Sequence, residues 1–333
     1  MRRVLALVLL SLLAAACNAR TGSPVTTGSG PAASPAAVAA TTPVPATSVP
    51  IAPPAVAPTT GVPTTTAPRP APVDVSPAAT IGRFEADLGV LLAGGPRVSG
   101  SEAEAAAADY LAGALGDLAG IVFATDVPLP NGLTSRNVWT SFGTGDVAVL
   151  LGAHYDSVVA APGADDNGSG TVVLLELARR LQSNPYPGLH VAVVFFGAEE
   201  ILDGFPNTEH HFGSRQLAVR LEQSGTLPDW MVSVDMVGVG TDLYAVTYRD
   251  TDPAAADLLQ QAAAEIGIEV ERVSRGDISD HEAFARRGVP AAFLWRPDNP
   301  DYHQAGDDHV DPALLLDDLA VIESFLATLD GTG

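Results

Sequence analysis

The sequence predicts an α/β fold of three layers, with a mainly parallel central sheet, helices on both of its faces and an active site at the C-terminal ends of its strands. Apolar runs typical of buried strands alternate along the chain with segments of helical periodicity, which is the order expected of a parallel sheet. The strongest run, His190–Phe196, is apolar after its first residue, as in a strand covered on both faces. Side chains of the metal-ligand type follow several of these runs.

Each further element has a signal of its own. A helix at 80–93 ends at the glycine and proline break of 94–96, and a capping box of Ser101 and Glu104 precedes an alanine-rich helix at 102–118. A proline near the start of each of the last two predicted helices fits the first helical turn. The remaining predicted elements are an edge strand at Ile121–Val127, a strand at Asp146–Gly152, a helix at Ser169–Leu181, strands at Met231–Val234 and Leu243–Thr247, a helix at Pro253–Ile266, a strand at Ala291–Trp295 and a helix at Pro312–Leu329.

The N-terminal segment predicts export. Two arginines precede an apolar run at 4–13, which is too short to cross a bilayer as an ordinary transmembrane helix. Small residues then lead to Cys17, the only cysteine of the chain, in a segment that resembles a lipobox. We therefore expect 1–17 to be a lipoprotein-type signal peptide that ends at the lipobox cysteine. A plain secretory signal is the alternative.

Composition divides the rest of the chain into a linker and a domain. Residues 18–77 are rich in Pro, Thr, Ala, Ser and Gly, and they lack the apolar side chains that would offset the entropy of ordering. We expect a disordered, partly polyproline linker there, which holds the domain away from a membrane. Residues 78–333 have a globular composition and suffice for one large α/β domain.

The charge of the chain excludes one class of partner. It carries 39 acidic and 17 basic residues, all of the latter arginine, and its formal net charge is −22. Nucleic acid is not expected as a partner, because phosphate binding requires clustered cations. The acidity is compatible with bound divalent cations and with cationic peptide N-termini, and it also serves solubility.

The first group of candidate site residues follows the strand Asp146–Gly152. His154 is a candidate metal ligand, and Asp156 lies two residues on, where it can accept a hydrogen bond from the imidazole and fix its tautomer. A histidine at a strand end can instead satisfy a backbone carbonyl. Asp166 lies in a glycine-rich turn before a helix, where it suits either a metal or a helix N-cap.

The second group follows the later strands. Glu199 and Glu200 are adjacent at the end of His190–Phe196, and two neighbouring carboxylates repel unless one binds a cation and the other exchanges a proton. Asp235 lies alone in an apolar run, so that either an arginine or a metal must be near. His303 follows the strand Ala291–Trp295. Two imidazoles and three carboxylates suit a pair of divalent metals, zinc first, and such a pair activates water for hydrolysis.

These segments together resemble the M28 family of zinc aminopeptidases, which also includes glutaminyl cyclases. The resemblance runs from about Arg97 to the C-terminus and depends on the motifs at 152–157, 163–170, 197–200, 234–236, 279–281 and 302–303. It implies two Zn²⁺ ions, one bound by His154 and Asp235 and the other by Glu200 and His303, with Asp166 bridging them.

The resemblance also implies catalytic roles. Glu199 is the general base, Asp156 supports His154, Tyr302 stabilises the oxyanion, and Asp280 has a supporting role. The segment Leu202–Phe212 is longer than the usual join of the family. Its two histidines, His210 and His211, are expected to be solvent-exposed, and the alternative is that they bind an extra ion.

The expected function is hydrolysis of the N-terminal peptide bond of peptides, by a metal-bridging water and the Glu199 base. A single-zinc glutaminyl cyclase and a non-catalytic metal- or peptide-binding surface lipoprotein are the alternatives. A serine hydrolase is disfavoured, because no Gly-x-Ser-x-Gly elbow occurs, and a His-Glu-x-x-His zinc helix is absent. We expect a monomer that acts on peptides with a free N-terminus. Outside the cytoplasm it would be a bacterial cell-surface lipoprotein whose only membrane contact is a lipid anchor at Cys17, or a secreted protein.

Overall fold

One mixed sheet forms the centre of the computed structural model, which describes residues 72–331 apart from Gly120, Asp203 and Asn207. Residues 1–71, with the predicted signal peptide and most of the predicted linker, lie outside the described residues. The described strands are β1 (Phe123–Pro128), β2 (Thr134–Phe142), β3 (Val147–His154), β4 (Leu189–Phe196), β5 (Trp230–Val234), β6 (Tyr244–Tyr248), β7 (Glu271–Arg275) and β8 (Ala291–Trp295). Their order across the sheet is β1-β2-β4-β3-β5-β8-β6-β7.

Helices cover both faces of this sheet. They are α1 (Pro77–Leu92), α2 (Glu102–Ala119), α3 (Gly170–Ser183), α4 (Phe212–Ser224), α5 (Ala254–Glu265), α6 (His281–Ala285) and α7 (Pro312–Asp330). Helices α1, α2, α3, α5 and α7 pack together on one face, and α4 and α6 pack on the other. In the part of the chain that is described, no helix combines the length and hydrophobicity that a membrane crossing requires.

Strand β4 shows how the sequence builds two cores. All eight of its residues are buried. Because side chains alternate across a strand, Val193 and Phe195 belong to the larger core under α3, whereas Val194 and Phe196 belong to the smaller core under α4 and α6. The continuous apolar run therefore serves both faces, and the predicted three-layer α/β fold is confirmed.

The sheet is parallel where the site lies. Strands β4, β3, β5 and β8 are neighbours in parallel register, while β2 joins β4 and β6 joins β8 in antiparallel register. His154 at the end of β3 pairs with Phe196 at the end of β4, and Val234 at the end of β5 pairs with Leu294 in β8. The four carboxyl ends therefore meet at one edge of the sheet.

Four described elements were not predicted: β2, β7, α4 and α6. Strand β2 carries polar residues at buried positions, among them Ser135, Asn137 and Thr140, so it lacks the apolar pattern of a central strand. Their polar atoms bond to Glu104, the Gly213 carbonyl and the Ile121 carbonyl. Strand β7 lies at the sheet edge and has no buried residue, so hydrophobicity gives it no signal.

Candidate metal centre

The five predicted ligands lie together at the carboxyl edge of the sheet. His154 ends β3, Glu200 and Asp235 follow β4 and β5, and His303 lies between β8 and α7. Asp166 comes from the irregular turn at 164–169 that leads into α3. They form two groups that share Asp166, one with His154 and Asp235 and one with Glu200 and His303, and in each group the nitrogen and oxygen atoms lie within 4.8 Å of one another.

Each carboxylate oxygen of Asp166 faces a different histidine. Its Oδ1 lies 3.3 Å from His154 Nε2, and its Oδ2 lies 3.1 Å from His303 Nε2. Asp235 Oδ1 lies 3.4 Å from His154 Nε2, and Glu200 Oε2 lies 3.2 Å from His303 Nε2. The geometry is therefore that of two three-residue groups joined by one carboxylate.

The charge balance of this cluster fits a bound cation. Burial, and then repulsion from Asp166, raises the pKa of Glu200 to about 8. Burial alone would lower the pKa of His154, but the carboxylates of Asp235 and Glu199 outweigh it and raise that pKa well above its ordinary value. Buried atoms without a hydrogen-bond partner include Glu200 Oε1, Asp235 Oδ1 and His303 Nε2. Buried carboxylates and imidazoles that lack hydrogen-bond partners suit Zn²⁺, because zinc binds both carboxylate oxygen and imidazole nitrogen.

Asp156 joins the ends of β3 and β4. Its Oδ1 lies 3.4 Å from His154 Nδ1, the nitrogen that faces away from Asp166. Its carboxylate also accepts the backbone N–H groups of Glu199 and Glu200, at 3.0 and 3.1 Å, and the Ser99 hydroxyl at 2.8 Å. One buried carboxylate therefore orients a histidine of the cluster and fixes the backbone of the glutamate pair.

Arg97 holds the neighbouring loops in place, a role that no motif or pattern in the sequence indicates. It is fully buried, and its guanidinium donates to the carbonyl oxygens of Tyr155, Pro162 and Gly163 at 2.5 to 2.8 Å. These carbonyls flank the segments that carry His154 and Asp166. Burial lowers the pKa of Arg97 to about 10, so the guanidinium stays charged at neutral pH.

The turn that carries Asp166 is fixed from the C-terminal part of the chain. The Asp307 carboxylate accepts the N–H groups of Asp165 and Asp166, at 2.8 and 3.2 Å. The Asn167 side chain donates to the Val234 carbonyl at the end of β5, and the peptide bond between Asp166 and Asn167 is cis. Asp307 lies in a polar loop with no pattern, so sequence inspection did not single it out.

Glu199 is held by a histidine. His211 Nε2 lies 2.8 Å from Glu199 Oε1, and His211 Nδ1 lies 3.3 Å from Glu282 Oε2. Glu282 is in turn paired with Arg215 at 3.1 Å and with Arg286. Burial by itself lowers the pKa of His211, but the Glu199 carboxylate outweighs it and raises that pKa to about 10. The imidazole therefore faces Glu199 as a cation.

The prediction that His210 and His211 are solvent-exposed is wrong. They are 9% and 2% exposed. The loop is drawn onto the domain because Leu202 packs in a small apolar cluster with Leu129 and Ala198. Neither histidine belongs to a metal-type group among the described residues, so this part of the structure gives the alternative of an extra ion no support.

A cavity of about 250 Å³ opens over the cluster. Its polar wall includes Glu199 and every candidate ligand except His303, and its apolar wall includes Met236, Ile278, Phe293 and Trp295. Tyr302 lines the cavity and stacks on the His303 ring at 3.8 Å between centroids. Desolvation, and then the nearby carboxylates, raises the pKa of the Tyr302 phenol, which stays protonated.

Asp280 lies deeper than Tyr302, at the start of α6, and is fully buried. Burial, and then the charge of Glu199, raises its pKa to about 7.

Residues 137–319 match the sequence model of peptidase family M28. Leupeptin-inactivating enzyme 1 of Streptomyces exfoliatus is 30% identical over 232 residues, which are 68% of this chain and 50% of that protein. The "Probable lipoprotein aminopeptidase LpqL" of Mycobacterium tuberculosis is 28% identical over 221 residues, 54% of this chain and 43% of that protein. The chain thus spans about half the length of these curated relatives.

Two solved structures share the fold. The glutaminyl cyclase of Tannerella forsythia superposes with a TM-score of 0.64 at 27% identity, over 74% of this chain and 96% of that one. A zinc aminopeptidase of Bacillus subtilis superposes with a TM-score of 0.64 at 19% identity, over 75% of this chain and 95% of that one. At these levels an aminopeptidase and a cyclase are equally good structural matches.

Proposed function

The chain belongs to peptidase family M28, and we propose that it is a di-zinc aminopeptidase that removes the N-terminal residue from peptides. The observation that carries the proposal is the pair of ligand groups that share Asp166, with Glu199 beside them. Two complete groups suit two metal ions better than one. A carboxylate outside both groups is free for proton transfer.

The metal ions would be held by the chain's own buried donors. One Zn²⁺ would take His154, Asp166 and Asp235, and the other would take Asp166, Glu200 and His303. When bound, such a pair supplies a water of lowered pKa and an electrophile for the carbonyl oxygen of the scissile bond. Asp156 keeps the His154 ring oriented through Nδ1, while Ser279 donates to Asp235 at 2.8 Å.

Glu199 would act as the general base. Its Oε2 lies 3.9 Å from His154 Nε2 and so faces the cluster, while its Oε1 is held by His211. In this position the carboxylate accepts a proton from the attacking water and passes it to the leaving amine. The protonated Tyr302 phenol, at the mouth of the cavity, donates a hydrogen bond to the oxyanion of the tetrahedral intermediate.

The cavity favours an apolar N-terminal residue. Ile278, Phe293 and Trp295 form one wall, and about 250 Å³ is room for a side chain the size of leucine. The opposite wall is carboxylate-rich, which favours the cationic α-amine of a free N-terminus. Both features support exopeptidase action on peptides with an apolar first residue.

A direct assay tests the proposal. The chain from Cys17 onward, which we call the mature chain, is loaded with zinc and offered leucine anilide and, separately, a peptide with N-terminal glutamine. Release of the aniline without cyclisation supports the aminopeptidase. Cyclisation without aniline release overturns it in favour of the glutaminyl cyclase, a rival that the Tannerella forsythia structure brings into consideration.

Inactivity toward both substrates, with metal bound, would identify a non-catalytic binding lipoprotein. The ion pair between Glu199 and His211 argues against that alternative. Metal binding alone does not require a carboxylate that is held in position outside both ligand groups.

We also propose that the protein is anchored outside the cytoplasm by a lipid on Cys17. The segment that ends at Cys17 resembles a lipobox, and the relative from Mycobacterium tuberculosis is named as a lipoprotein aminopeptidase. Metabolic labelling with an alkynyl fatty acid should tag the chain in membranes. The Cys17→Ala variant should carry no label, and an equally labelled variant would contradict the anchor.

A further inference from the structure

A second cavity opens beside the metal centre, on the side of Glu200. It has a volume of about 410 Å³, and its walls come from the turn after β1, the segment after Asp156 and the segment that begins at Ile201. We name it the Glu200 groove and define it by five of the apolar side chains that line it, Leu133, Val159, Ile201, Leu202 and Phe205.

The Glu200 groove adjoins the cavity over the metal centre, and Glu200 lines both. The described residues include nine large apolar side chains that are exposed, and five of them lie in these two cavities. Leu133, Val159 and Ile201 are in the groove, at 48%, 68% and 42% exposure. Exposed apolar side chains gathered in one concavity mark a binding surface.

The wall of the Glu200 groove is held in place by apolar packing and a backbone hydrogen bond. Leu202 is 5% exposed and packs against Val127 and Leu129, with Phe205 against the same cluster. The Phe205 N–H donates to the Leu202 carbonyl at 3.0 Å. Ile201, directly before this anchored turn, is left exposed in the groove.

We propose that the Glu200 groove binds the residues that follow the scissile bond, and that it selects peptides whose second and third residues are apolar. The inference rests on the proposed aminopeptidase function. A substrate whose first residue occupies the 250 Å³ cavity must extend away from it, and the Glu200 groove is an apolar concavity that adjoins this cavity. Glu200 is the only charged residue among the described residues that line it, so acidic residues find no basic partner there.

The experiment compares kcat/KM of the zinc-loaded mature chain on leucine amide, Leu-Phe-Leu, Leu-Gly-Gly and Leu-Asp-Asp. Burial of two apolar side chains should make Leu-Phe-Leu at least about 10-fold better than Leu-Gly-Gly, and Leu-Asp-Asp should be the poorest peptide. Val159→Ser and Ile201→Ser should each lower the rate on Leu-Phe-Leu about 3- to 10-fold and leave the rate on leucine amide unchanged, because its leaving group is ammonia and nothing follows the scissile bond. Ile121→Ser is the matched control, because Ile121 is 67% exposed and lines neither cavity.

The possible outcomes distinguish failure of the groove proposal from failure of the proposed aminopeptidase function. Hydrolysis of leucine amide, with equal rates on all three peptides, overturns the groove proposal and leaves the proposed aminopeptidase function intact. An equal loss on leucine amide and on Leu-Phe-Leu in both groove variants also overturns it, because those residues would then act on the metal centre. Absence of hydrolysis with every substrate overturns the proposed function and the groove with it.

Discussion

His211 Nε2 lies 2.8 Å from Glu199 Oε1, so the proposed base is held by a buried imidazolium. The other ring nitrogen faces Glu282, which Arg215 and Arg286 hold in turn. The contact fixes one carboxylate oxygen of Glu199 and leaves the other toward the cluster. A base within reach of its substrate proton depends on such positioning.

His211→Ala is therefore expected to lower kcat about 10- to 100-fold with little change in KM or in bound metal, because Glu199 loses its fixed orientation. His211→Gln, whose amide can still donate to Glu199, should recover part of the rate. His210→Gln is the control, since His210 lies beside the pair without an ion pair to Glu199. Equal kcat values in His211→Ala and His210→Gln would show that the contact has no part in turnover.

Glu199→Gln tests the base itself. The substitution keeps the size of the side chain but removes its capacity to accept a proton, so kcat should fall by about 10²- to 10⁴-fold. Bound zinc, measured by elemental analysis, should stay near the wild-type amount, because Glu199 lies outside both ligand groups. Full activity in this variant would refute the assigned role.

Metal stoichiometry tests the shared ligand. The mature chain should bind two zinc ions, His303→Ala should bind about one, and Asp166→Ala should lose most of both, because Asp166 alone belongs to both groups. Elemental analysis after gel filtration gives the counts. A wild-type chain that binds one zinc ion, with Asp166→Ala no worse than His303→Ala, would contradict the two-ion site and favour the cyclase alternative.

The parallel core of the fold could be predicted because its signals are local. The apolar run of β4 and the acids after it stand out in the sequence, and the parallel sheet then brings strand ends together. For this reason the sequence alone predicts that Glu200 and Asp235 lie near His154. Strand β2 was missed because its buried Ser135 and Asn137 are satisfied by partners distant in the chain.

The residues that support the site, His211, Asp307 and Arg97, could not be predicted because their contacts are also with partners distant in the chain. His211 meets Glu199 only because an apolar cluster draws its loop inward, and Asp307 meets Asp166 across 141 residues of chain. Neither contact leaves a periodic or motif-like signal. The Arg97 guanidinium donates its hydrogen bonds to backbone carbonyl oxygens. Any residue type can supply a carbonyl, so the sequence contains no acidic partner that would identify this role.

Glu104 gives a stability prediction that does not depend on catalysis. It is 2% exposed, and it accepts hydrogen bonds from Ser135 Oγ and the Gly100 N–H. Burial, and then repulsion from Asp156, raises its pKa from 4.5 to about 8. Between these values the folded chain keeps a proton that the unfolded chain has lost. The contribution of Glu104 to the free energy of unfolding therefore falls as pH rises through this window.

Glu104→Gln removes that titration while keeping both contacts, because the amide oxygen can accept from Gly100 and the amide nitrogen can donate to the Ser135 hydroxyl. The wild type should therefore lose stability relative to the variant by about 1.4 kcal/mol per pH unit between about pH 5 and pH 8. Urea unfolding of both proteins across this range, at fixed zinc and ionic strength, measures the difference. Glu102→Gln is the control, because Glu102 lies on the exposed side of the same helix. A wild-type curve parallel to that of Glu104→Gln would mean that Glu104 is already ionised in the folded protein, and that its hydrogen-bond donors outweigh its burial.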